Sequence, residues 1–345
     1  MRNVIICIVL ISGLAACENQ EQVFDDYDLQ AVYFPIQLPI RSLSLGEDRI
    51  DNTLDREHKF DIGVSIGGMY ENKWDWTVDY VVDPTLTDSA YSGSLRLIAL
   101  PTSYYTISPQ GTVTIPAGSF NGLIRIELAD AFFTDPLSLT GQYVVPLLIT
   151  GTSADSVLSG KQAKPGEADR RILGDWESGK SPKDWVLYGI KYVNAYHGTY
   201  LHRGRDISYN GGVPVDTVVF HEMYVEKDKV VSLTTIGLQS VATNHIGNRT
   251  SNRGLYSMEL SFSNPTGASG TVTIGPRTGS NWAVTGTGEY FDKSSSTESW
   301  TGLTWQSMYL QYAYNDGTND HQVADTLVFR DRGIKYEVNS ITIVN

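Results

Sequence analysis

The sequence predicts an all-β protein of two domains, and three observations support this prediction. Short stretches with apolar residues at every second position recur along the chain, turn residues separate them, and long helical patterns are absent. The chain has 345 residues, which is about twice the usual length of one domain. We therefore expect an N-terminal immunoglobulin-like β-sandwich, followed by a C-terminal antiparallel β-barrel of calycin or lipocalin type or by a second β-sandwich.

The first sixteen residues have the pattern of a bacterial lipoprotein signal peptide. Arg2 precedes the apolar run 4–14, and the small residues Ala15 and Ala16 precede Cys17. This pattern is typical of a signal that is removed before the Cys, whose thiol then carries lipid. An ordinary signal peptide that contains a Cys is the alternative. Because the apolar run is too short to span a membrane, we expect contact with the membrane through lipid on Cys17 alone.

Residues 17–30 are acidic and lack periodicity, which predicts a lipidated tether ahead of the first domain. The two cysteines are Cys7, inside the signal, and Cys17, so we expect no disulfide bond in the mature chain. The formal net charge is −13, and an acidic protein repels nucleic acid and anionic lipid headgroups. This charge argues against a nucleic-acid partner and leaves neutral ligands and proteins as candidates.

Residues 31–151 contain the strand signals of the predicted sandwich. Apolar residues from Phe60 to Ile66 alternate with polar or small residues, which indicates a strand with one buried face. Pro146 lies within a predicted strand, and we expect an edge position or a bulge there because proline lacks a backbone donor. The predicted strands of this domain are residues 60–66, 74–82, 95–100, 112–115, 123–128 and 143–149.

Residues 152–175 are rich in small and polar residues with little apolar periodicity, which predicts a linker. The remaining residues, 176–345, are again rich in strand signals, and Asp331-Arg332-Gly333 predicts a tight turn between the last two strands. So many antiparallel strands in one domain favour a closed barrel or a second sandwich. The predicted strands are residues 185–193, 217–225, 230–238, 255–262, 270–275, 282–290, 305–314, 326–330 and 336–344.

Two groups of motifs, one in each half of the chain, are specific enough to compare with known families. Tyr104-Tyr105, Gly-Thr-Val-Thr-Ile-Pro-Ala-Gly at 111–118 and Tyr-Val-Val-Pro-Leu at 143–147 form the first group, and residues 191–206 and 325–333 form the second. The first group resembles an N-terminal domain of Bacteroidota surface lipoproteins that also precedes family 18 endoglycosidase modules. The second resembles a C-terminal domain of unknown function that is often paired with it.

This resemblance implies a lipid-anchored protein exposed on the outer membrane, encoded near SusC/SusD-type importers in a glycan-utilisation locus and binding glycan. The family carries no established catalytic residues, so the resemblance assigns no site to this sequence.

Four residues are candidates for glycan contacts. Trp300 follows a polar stretch and Trp305 lies at a predicted strand start, and indole rings stack on the C–H faces of sugars. Core packing is the competing explanation for each ring, since most tryptophans are largely buried. Asn248 and Arg249 lie in a polar loop and offer donors to sugar hydroxyls, with a solvated hairpin loop as the alternative. Core packing is the preferred explanation for two other aromatic pairs, Trp282 with Tyr290 and Trp74 with Trp76.

The sequence indicates no catalytic, metal or cofactor site. His197 and His202 are five residues apart and face opposite sides of one strand, which does not suit a metal pair. Asp316, Asn319 and Asp320 miss the calcium-loop pattern and predict a structural turn. The sequence has no hydrolase elbow, phosphate loop, dinucleotide fingerprint or acidic strand motif of family 18 enzymes. We therefore expect no cofactor, no bound metal and no catalytic residues.

These observations predict a non-catalytic lipoprotein on the outer surface of the outer membrane that binds glycan for a polysaccharide-utilisation system. The expected partners are an oligosaccharide or polysaccharide and, by resemblance, SusC/SusD-type importer components. The alternative is a structural or protein-interaction lipoprotein without a sugar site. A glycoside hydrolase ranks third, because 39 acidic residues always offer a pair of carboxylates and their spacing selects none.

Overall fold

The computed structural model describes residues 26–344 except residues 49, 167, 246, 248–256, 264–267 and 281. The predicted signal 1–16, the lipidation site Cys17 and the candidates Asn248 and Arg249 therefore lie outside the described residues. Among the helices within the described residues, none is long and apolar enough to cross a membrane.

Strands make up most of the described chain. The strands before residue 195 are β1 (Ala31–Tyr33), β2 (Pro39–Ser44), β3 (Lys59–Gly67), β4 (Trp76–Val82), β5 (Ala90–Ser92), β6 (Leu95–Arg96), β7 (Ile98–Ala99), β8 (Tyr105–Ser108), β9 (Thr112–Ile115), β10 (Asn121–Leu128), β11 (Tyr143–Thr152), β12 (Ser156–Val157) and β13 (Trp185–Val193). The later strands are β14 (Gly198–Asn210), β15 (Val213–Phe220), β16 (Lys229–Gly237), β17 (Ser240–Thr243), β18 (Met258–Phe262), β19 (Ser269–Pro276), β20 (Val284–Phe291), β21 (Ser299–Trp300), β22 (Leu303–Thr304), β23 (Ser307–Asn315), β24 (Asp320–Asp331), β25 (Glu337–Val338) and β26 (Ile341–Ile343). The helices are α1 (Thr53–Arg56), α2 (Asp130–Thr134) and the single 3-10 turns Pro84–Thr87, Thr102–Tyr104, Pro136–Leu139, Leu173–Asp175 and Val225–Lys227.

The N-terminal domain is a sandwich of two sheets around one apolar core. One sheet has the strand order β12-β1-β3-β10-β8, and the other has the order β25-β2-β13-β11-β4-β9 with β7 paired to β11. The alternation predicted in β3 is confirmed, because Phe60, Ile62, Val64 and Ile66 are all at most 2% exposed and pack in this core. The predicted β-sandwich is confirmed with it.

Pro146 lies in β11, a central strand of its sheet, so the expected edge position is wrong. Tyr143 and Val144 of β11 pair with β7, whereas the residues from Leu147 onward pair with β4. Pro146 therefore lies where one neighbouring strand ends and the next begins, a place that tolerates a missing backbone donor. The irregularity in the β11–β4 pairing lies farther along, between Ile149 and Gly151.

Strand β13, which the sequence places in the C-terminal domain, lies in the sandwich. It pairs antiparallel with β11 and parallel with β2, and its residues Val186 and Ile190 belong to the sandwich core. Strand β25, from the far end of the chain, also pairs with β2. One sheet therefore contains segments from both sides of the predicted linker. The domain boundaries that composition suggests stay predictions.

The C-terminal domain is a closed barrel of eight strands. Their order is β14-β16-β17-β18-β19-β20-β23-β24, and β24 pairs back onto β14 to close the barrel. Among the described strands, β15 pairs with β14 alone. A Cβ on Gly286 of β20 would lie 2.5 Å from the side chain of Tyr312, its cross-strand partner, so glycine lets this ring fill the interior. The barrel that the sequence analysis expects is confirmed, and the second sandwich is excluded.

Arg332 fastens the barrel to the sandwich. Its side chain is 1% exposed and donates hydrogen bonds to the carbonyl oxygens of Glu47, Ala195 and His197 and to Oε1 of Gln306. Glu47 follows β2 of the sandwich, whereas the other three acceptors lie one to three residues before the barrel strands β14 and β23. Burial lowers the pKa of Arg332, and the four acceptors satisfy the donors of its guanidinium group.

Candidate functional site

The structure brings the predicted contact residues Trp300 and Trp305 together beside the barrel. They lie on the short hairpin β21–β22 and directly after it, and their ring centroids are 5.0 Å apart at an interplanar angle of 26°. Trp300 Nε1 donates to the Phe329 carbonyl at 3.0 Å, and Trp305 Nε1 donates to the Trp300 carbonyl at 3.0 Å. Both rings are half-buried. Each ring therefore uses one face on the other ring and its N–H group on the backbone.

The surroundings of this stacked pair are polar and enclose little space. Lys293 Nζ lies 5.5 Å from the centroid of the Trp305 ring. The Tyr309 hydroxyl donates to Glu298 Oε1 at 2.8 Å, and burial raises the pKa of this tyrosine. The cavity beside Trp305 has a volume of about 20 Å³, which is the space of a single water molecule. A sugar at this position has to lie on the open surface of the pair.

A second group of aromatic residues lies on the sandwich, in the loop between β3 and β4 and in the turn between β9 and β10. Trp74 is 68% exposed, Tyr70 is 61% exposed and Phe120 is 38% exposed. All seven tryptophans lie in the described part of the chain, and Trp74 is the most exposed of them. We call Tyr70, Trp74 and Phe120 the sandwich aromatic surface.

The side chain of Asn72 fixes the backbone that carries the sandwich aromatic surface. Asn72 is 3% exposed, and its Nδ2 donates to the carbonyl oxygens of Pro116 at 3.0 Å and Ser119 at 2.6 Å, which joins the loop to the turn. Its Oδ1 accepts hydrogen bonds from the backbone N–H of Trp74 at 3.1 Å and from Nε1 of Trp76 at 2.9 Å. One buried amide thus satisfies four groups and holds the exposed indole of Trp74 on an ordered loop.

Core packing, the preferred explanation for two aromatic pairs, holds for three of the four residues. Tyr290 is buried, and Trp282 and Trp76 are half-buried against the barrel and sandwich cores. The prediction is wrong for Trp74, because β4 begins at Trp76 and Trp74 lies in the preceding loop. The polar stretch 71–73 ahead of Trp74 is the sequence signal that marks this loop.

The inner face of the barrel carries a buried polar network. The Tyr314 hydroxyl donates to Asp206 Oδ2 at 3.0 Å, and Asp206 Oδ1 lies 2.8 Å from Nδ1 of His321. The Tyr312 hydroxyl donates to Asp325 Oδ2 at 2.7 Å, and burial raises the pKa of Tyr312. The two carboxylates are 0% and 4% exposed. Both carboxylates lie in the barrel interior, where a glycosidic bond has no access to them.

The histidines and the acidic turn considered as metal ligands have structural surroundings. His202 Nε2 lies 3.0 Å from Asp325 Oδ1 inside the barrel, and burial lowers the pKa of His197 to about 4. Asp316 Oδ1 accepts two backbone N–H groups and forms a tight turn. In the part of the chain that the structure describes, no group of three or more His, Cys, Asp or Glu is placed to hold a metal ion.

Two family models match the chain, one in each half. A domain of unknown function, DUF5627, matches residues 195–333, and a model of an N-terminal domain matches residues 24–156. No curated protein matches the sequence.

Two solved structures are similar to this chain. A Bacteroides ovatus protein of unknown function has a TM-score of 0.79 and 33% sequence identity, and the match covers 92% of this chain and 100% of that one. An auxiliary nutrient binding protein from Bacteroides thetaiotaomicron has a TM-score of 0.38 and 15% identity, with 84% of this chain and 89% of that chain covered. The second likeness is too low to support any statement about fold or function.

Proposed function

The chain belongs to the same family as the Bacteroides ovatus protein of unknown function, and we propose that it is a cell-surface lipoprotein that binds glycan without cleaving it. The single observation that carries this proposal is the exposed indole of Trp74 on an ordered loop. A flat aromatic ring in water is well suited to the C–H face of a pyranose. Because the loop is already fixed by Asn72, binding orders few additional groups.

Two further features support a neutral glycan as the ligand. The formal net charge of −13 disfavours anionic ligands, whereas a neutral sugar is unaffected by it. Asp75 accepts the backbone N–H of Ala117 at 2.8 Å, at the border of the sandwich aromatic surface, and its exposed carboxylate is of the kind that accepts sugar hydroxyl groups. The Trp300–Trp305 pair, with Lys293 and Glu298 beside it, is a second candidate surface for the same ligand class.

The absence of cleavage is proposed because the sequence has no hydrolase motif, and the acids of the buried barrel network do not supply a catalytic pair. Asp206 and Asp325 lie inside the barrel and accept hydrogen bonds from tyrosine hydroxyls. A glycosidase needs two carboxylates on either side of an accessible scissile bond. Asp206 and Asp325 are buried too deeply to lie on either side of a scissile bond.

The predicted lipidation of Cys17 supports a membrane anchor, and the resemblance of the two motif groups supports a surface location and a role beside SusC/SusD-type importers. Mass spectrometry of the protein extracted from its native membrane should find diacylglycerol on Cys17 and no residues before it. Proteinase K added to intact cells should degrade the protein. An unmodified N-terminus at Cys17 contradicts the anchor.

The test of glycan binding is an array of neutral polysaccharides probed with the chain from residue 18 onward. We expect at least one glycan to bind wild type and to lose binding with Trp74→Ala. Tyr336→Ala is the matched control, because Tyr336 is 67% exposed and lies outside both aromatic surfaces. If no neutral glycan binds wild type, the proposed function is wrong.

A protein-interaction role is the second candidate, and strand β15 favours it. Val213, Val215 and Val219 are 63%, 54% and 60% exposed, and Met223 just beyond is 85% exposed. Several exposed apolar side chains on one strand and directly after it are typical of a contact surface. Chemical cross-linking in intact cells measures this interaction. If strand β15 binds a protein, Val215→Lys should abolish the cross-linked complexes that wild type forms. If strand β15 does not bind a protein, the complexes should be the same in both.

A further inference from the structure

Strand β15 forms an open edge of the barrel sheet. Among the described strands it pairs with β14 alone, so its second edge carries backbone N–H and C=O groups that pair with no described strand. Each of the eight barrel strands, in contrast, has a neighbour on both sides. From Val213 to Val219 every side chain of β15 is exposed except the half-buried Val218. An exposed edge of this kind is a template for an additional strand.

Two residues limit the part of this edge that can accept another strand. Pro214 has no N–H group, and the pairing of β14 with β15 is irregular beside it. Phe220, at the other end, is 6% exposed. Residues 215–219 lie between these limits, contain no proline and no lysine, and have Thr217 at their centre. We call residues 215–219 the β15 edge.

The chemistry of the β15 edge decides which kind of partner it fits. Backbone N–H and C=O groups in a row form directional hydrogen bonds at the spacing of an extended polypeptide, which a sugar or a small molecule does not repeat. The side chains of this edge are β-branched apart from Asp216, and β-branched side chains pack well across a pair of strands. The partner that matches both features is another exposed strand with β-branched residues.

The β15 edge matches its own copy. In an antiparallel pair with Thr217 on a twofold axis, Thr217 lies opposite itself and Val215 lies opposite Val219 of the second copy. Asp216 then lies opposite Val218, so like charges do not meet. A pair centred one residue earlier sets Asp216 opposite the second Asp216, which is unfavourable. The limits of the edge and the position of its one charged residue therefore agree on Thr217 as the centre.

The symmetry of this pair also determines the size of the assembly. A twofold contact uses the same strand on both chains, so it closes with two copies. A contact between the β15 edge and a different edge of a second chain leaves one edge open on each side and continues into rings or filaments. The number of chains in the assembly therefore distinguishes the two arrangements.

We propose that the β15 edge binds a second copy of this chain by antiparallel strand addition around a twofold axis at Thr217. The barrel sheets of the two copies then form one continuous sheet. This proposal names the partner of the strand on which the second candidate function rests, and it does not depend on glycan binding.

The first test is sedimentation equilibrium of the chain from residue 18 onward, at about 5–500 µM chain in physiological salt. The mean mass should rise with concentration and approach that of two chains. Thr217→Lys should raise the dissociation constant of the dimer at least about tenfold, because it sets two like charges opposite each other. Thr287→Lys is the matched control, since Thr287 is exposed on β20, a strand with a neighbour on both sides.

A charge exchange at the axis separates this contact from general repulsion between copies. The formal net charge is −13, so an added lysine lowers the overall repulsion, whereas the local contact predicts weaker association of Thr217→Lys. Thr217→Asp alone should also dissociate the dimer. An equimolar mixture of Thr217→Lys and Thr217→Asp should form a dimer again, because opposite charges then face each other at the axis.

A cysteine at position 217 tests the register of the pair. The chain from residue 18 onward has no cysteine, because Cys7 and Cys17 precede it. The Cα atoms of directly opposite residues are about 4.5–5.5 Å apart, within the disulfide range of about 4.4–6.8 Å. Oxidation should convert Thr217→Cys into a covalent dimer and leave Thr287→Cys a monomer. Circular dichroism melting checks that each variant folds as wild type does.

Several results would overturn the proposal. Wild type that remains monomeric at about 500 µM chain contradicts association through this edge. Equal association of wild type and Thr217→Lys places the contact elsewhere, and growth beyond two chains indicates pairing with a different edge. Failure of the charge-exchanged mixture to associate, or equal covalent dimer in Thr217→Cys and Thr287→Cys, contradicts the register.

A foreign strand at the β15 edge is the remaining outcome. Oxidation of intact cells that joins Thr217→Cys to a different protein and not to its own copy assigns the edge to that protein and contradicts the proposal. An array without glycan binders leaves all of these results unaffected, so this proposal and the proposed glycan binding fail separately.

Discussion

The Trp300–Trp305 pair and the sandwich aromatic surface place indole rings at the protein surface in opposite ways. In the pair, each ring covers a face of the other and both N–H groups bind backbone carbonyls. On the sandwich, the backbone of Trp74 is held by Asn72, and its ring is 68% exposed. The first arrangement stabilises the fold and the second presents a ring to solvent. Polar residues precede both Trp300 and Trp74 in the sequence, so the sequence does not distinguish the two arrangements. What distinguishes them is what each indole ring contacts in the fold.

The largest expected effect is on the stability of the barrel. Trp305→Ala should lower the free energy of unfolding by about 2–4 kcal/mol, because it removes the stacking partner of Trp300 and a ring packed on the barrel core. Urea unfolding monitored by circular dichroism measures this change. Trp74→Ala is the control and should change the free energy by less than about 0.5 kcal/mol. Equal losses in both variants would contradict the structural role of the pair.

The next effect is on glycan binding. Trp74→Ala should weaken binding at least about tenfold, or about 1.4 kcal/mol, because the exposed ring face is lost. Isothermal titration with a glycan found on the array measures the constant. Trp300→Ala should weaken it by less, since one face of that ring is covered. A larger loss in Trp300→Ala than in Trp74→Ala reverses the assignment of the site.

Asn72 connects the exposure of the Trp74 ring with the order of the loop between β3 and β4 that carries it. Asn72→Ala leaves Trp74 in the chain but removes hydrogen bonds to Pro116, Ser119 and the Trp74 backbone, so we expect about 1–2 kcal/mol less stability and a few-fold weaker glycan binding. Urea unfolding and calorimetry give the two values. Asn210→Ala, at an exposed barrel position, is the control. Unchanged affinity in Asn72→Ala would show that loop order does not matter for binding.

The smallest effect is the pH dependence of barrel stability. Burial lowers the pKa of His197 to about 4, below about 6.5 in the unfolded chain, so the unfolded state takes up a proton first as pH falls. The stabilisation is complete above pH 6.5 and is lost as pH falls towards 4. Between pH 7 and 5 we expect a loss of about 1–2 kcal/mol, measured by urea unfolding. His197→Gln should reduce this loss, whereas glycan binding at Trp74 should change little while the protein stays folded.

Much of the fold could be predicted from the sequence, because most of the side chains that point into the two cores are apolar. Strand β3 and barrel strands β19, β20 and β23 lie within a few residues of their predicted bounds. Strand β14, which pairs with three other strands, was not predicted. Its inward side chains include His202, Asp206 and Ser208, which are buried in a polar network and so break the apolar alternation.

The sequence predicts the type of contact residue at the candidate site, but not where in the fold the site lies. The sequence suggests exposed indoles as glycan contacts and names Trp300 and Trp305 as separate candidates, and their stacking is seen only in the structure. It cannot show that the indole N–H of Trp300 binds the Phe329 carbonyl, because these residues are 29 positions apart in the sequence. It also cannot show that Asn72 joins two loops 44 residues apart and so exposes Trp74.

The most direct test of the central claim is affinity electrophoresis of wild type, Trp74→Ala and Tyr336→Ala in gels containing a glycan selected on the array. The sandwich aromatic surface predicts that the glycan retards wild type and Tyr336→Ala equally and that Trp74→Ala migrates as it does in a gel without glycan. Equal retardation of all three proteins would contradict a glycan-binding role for Trp74.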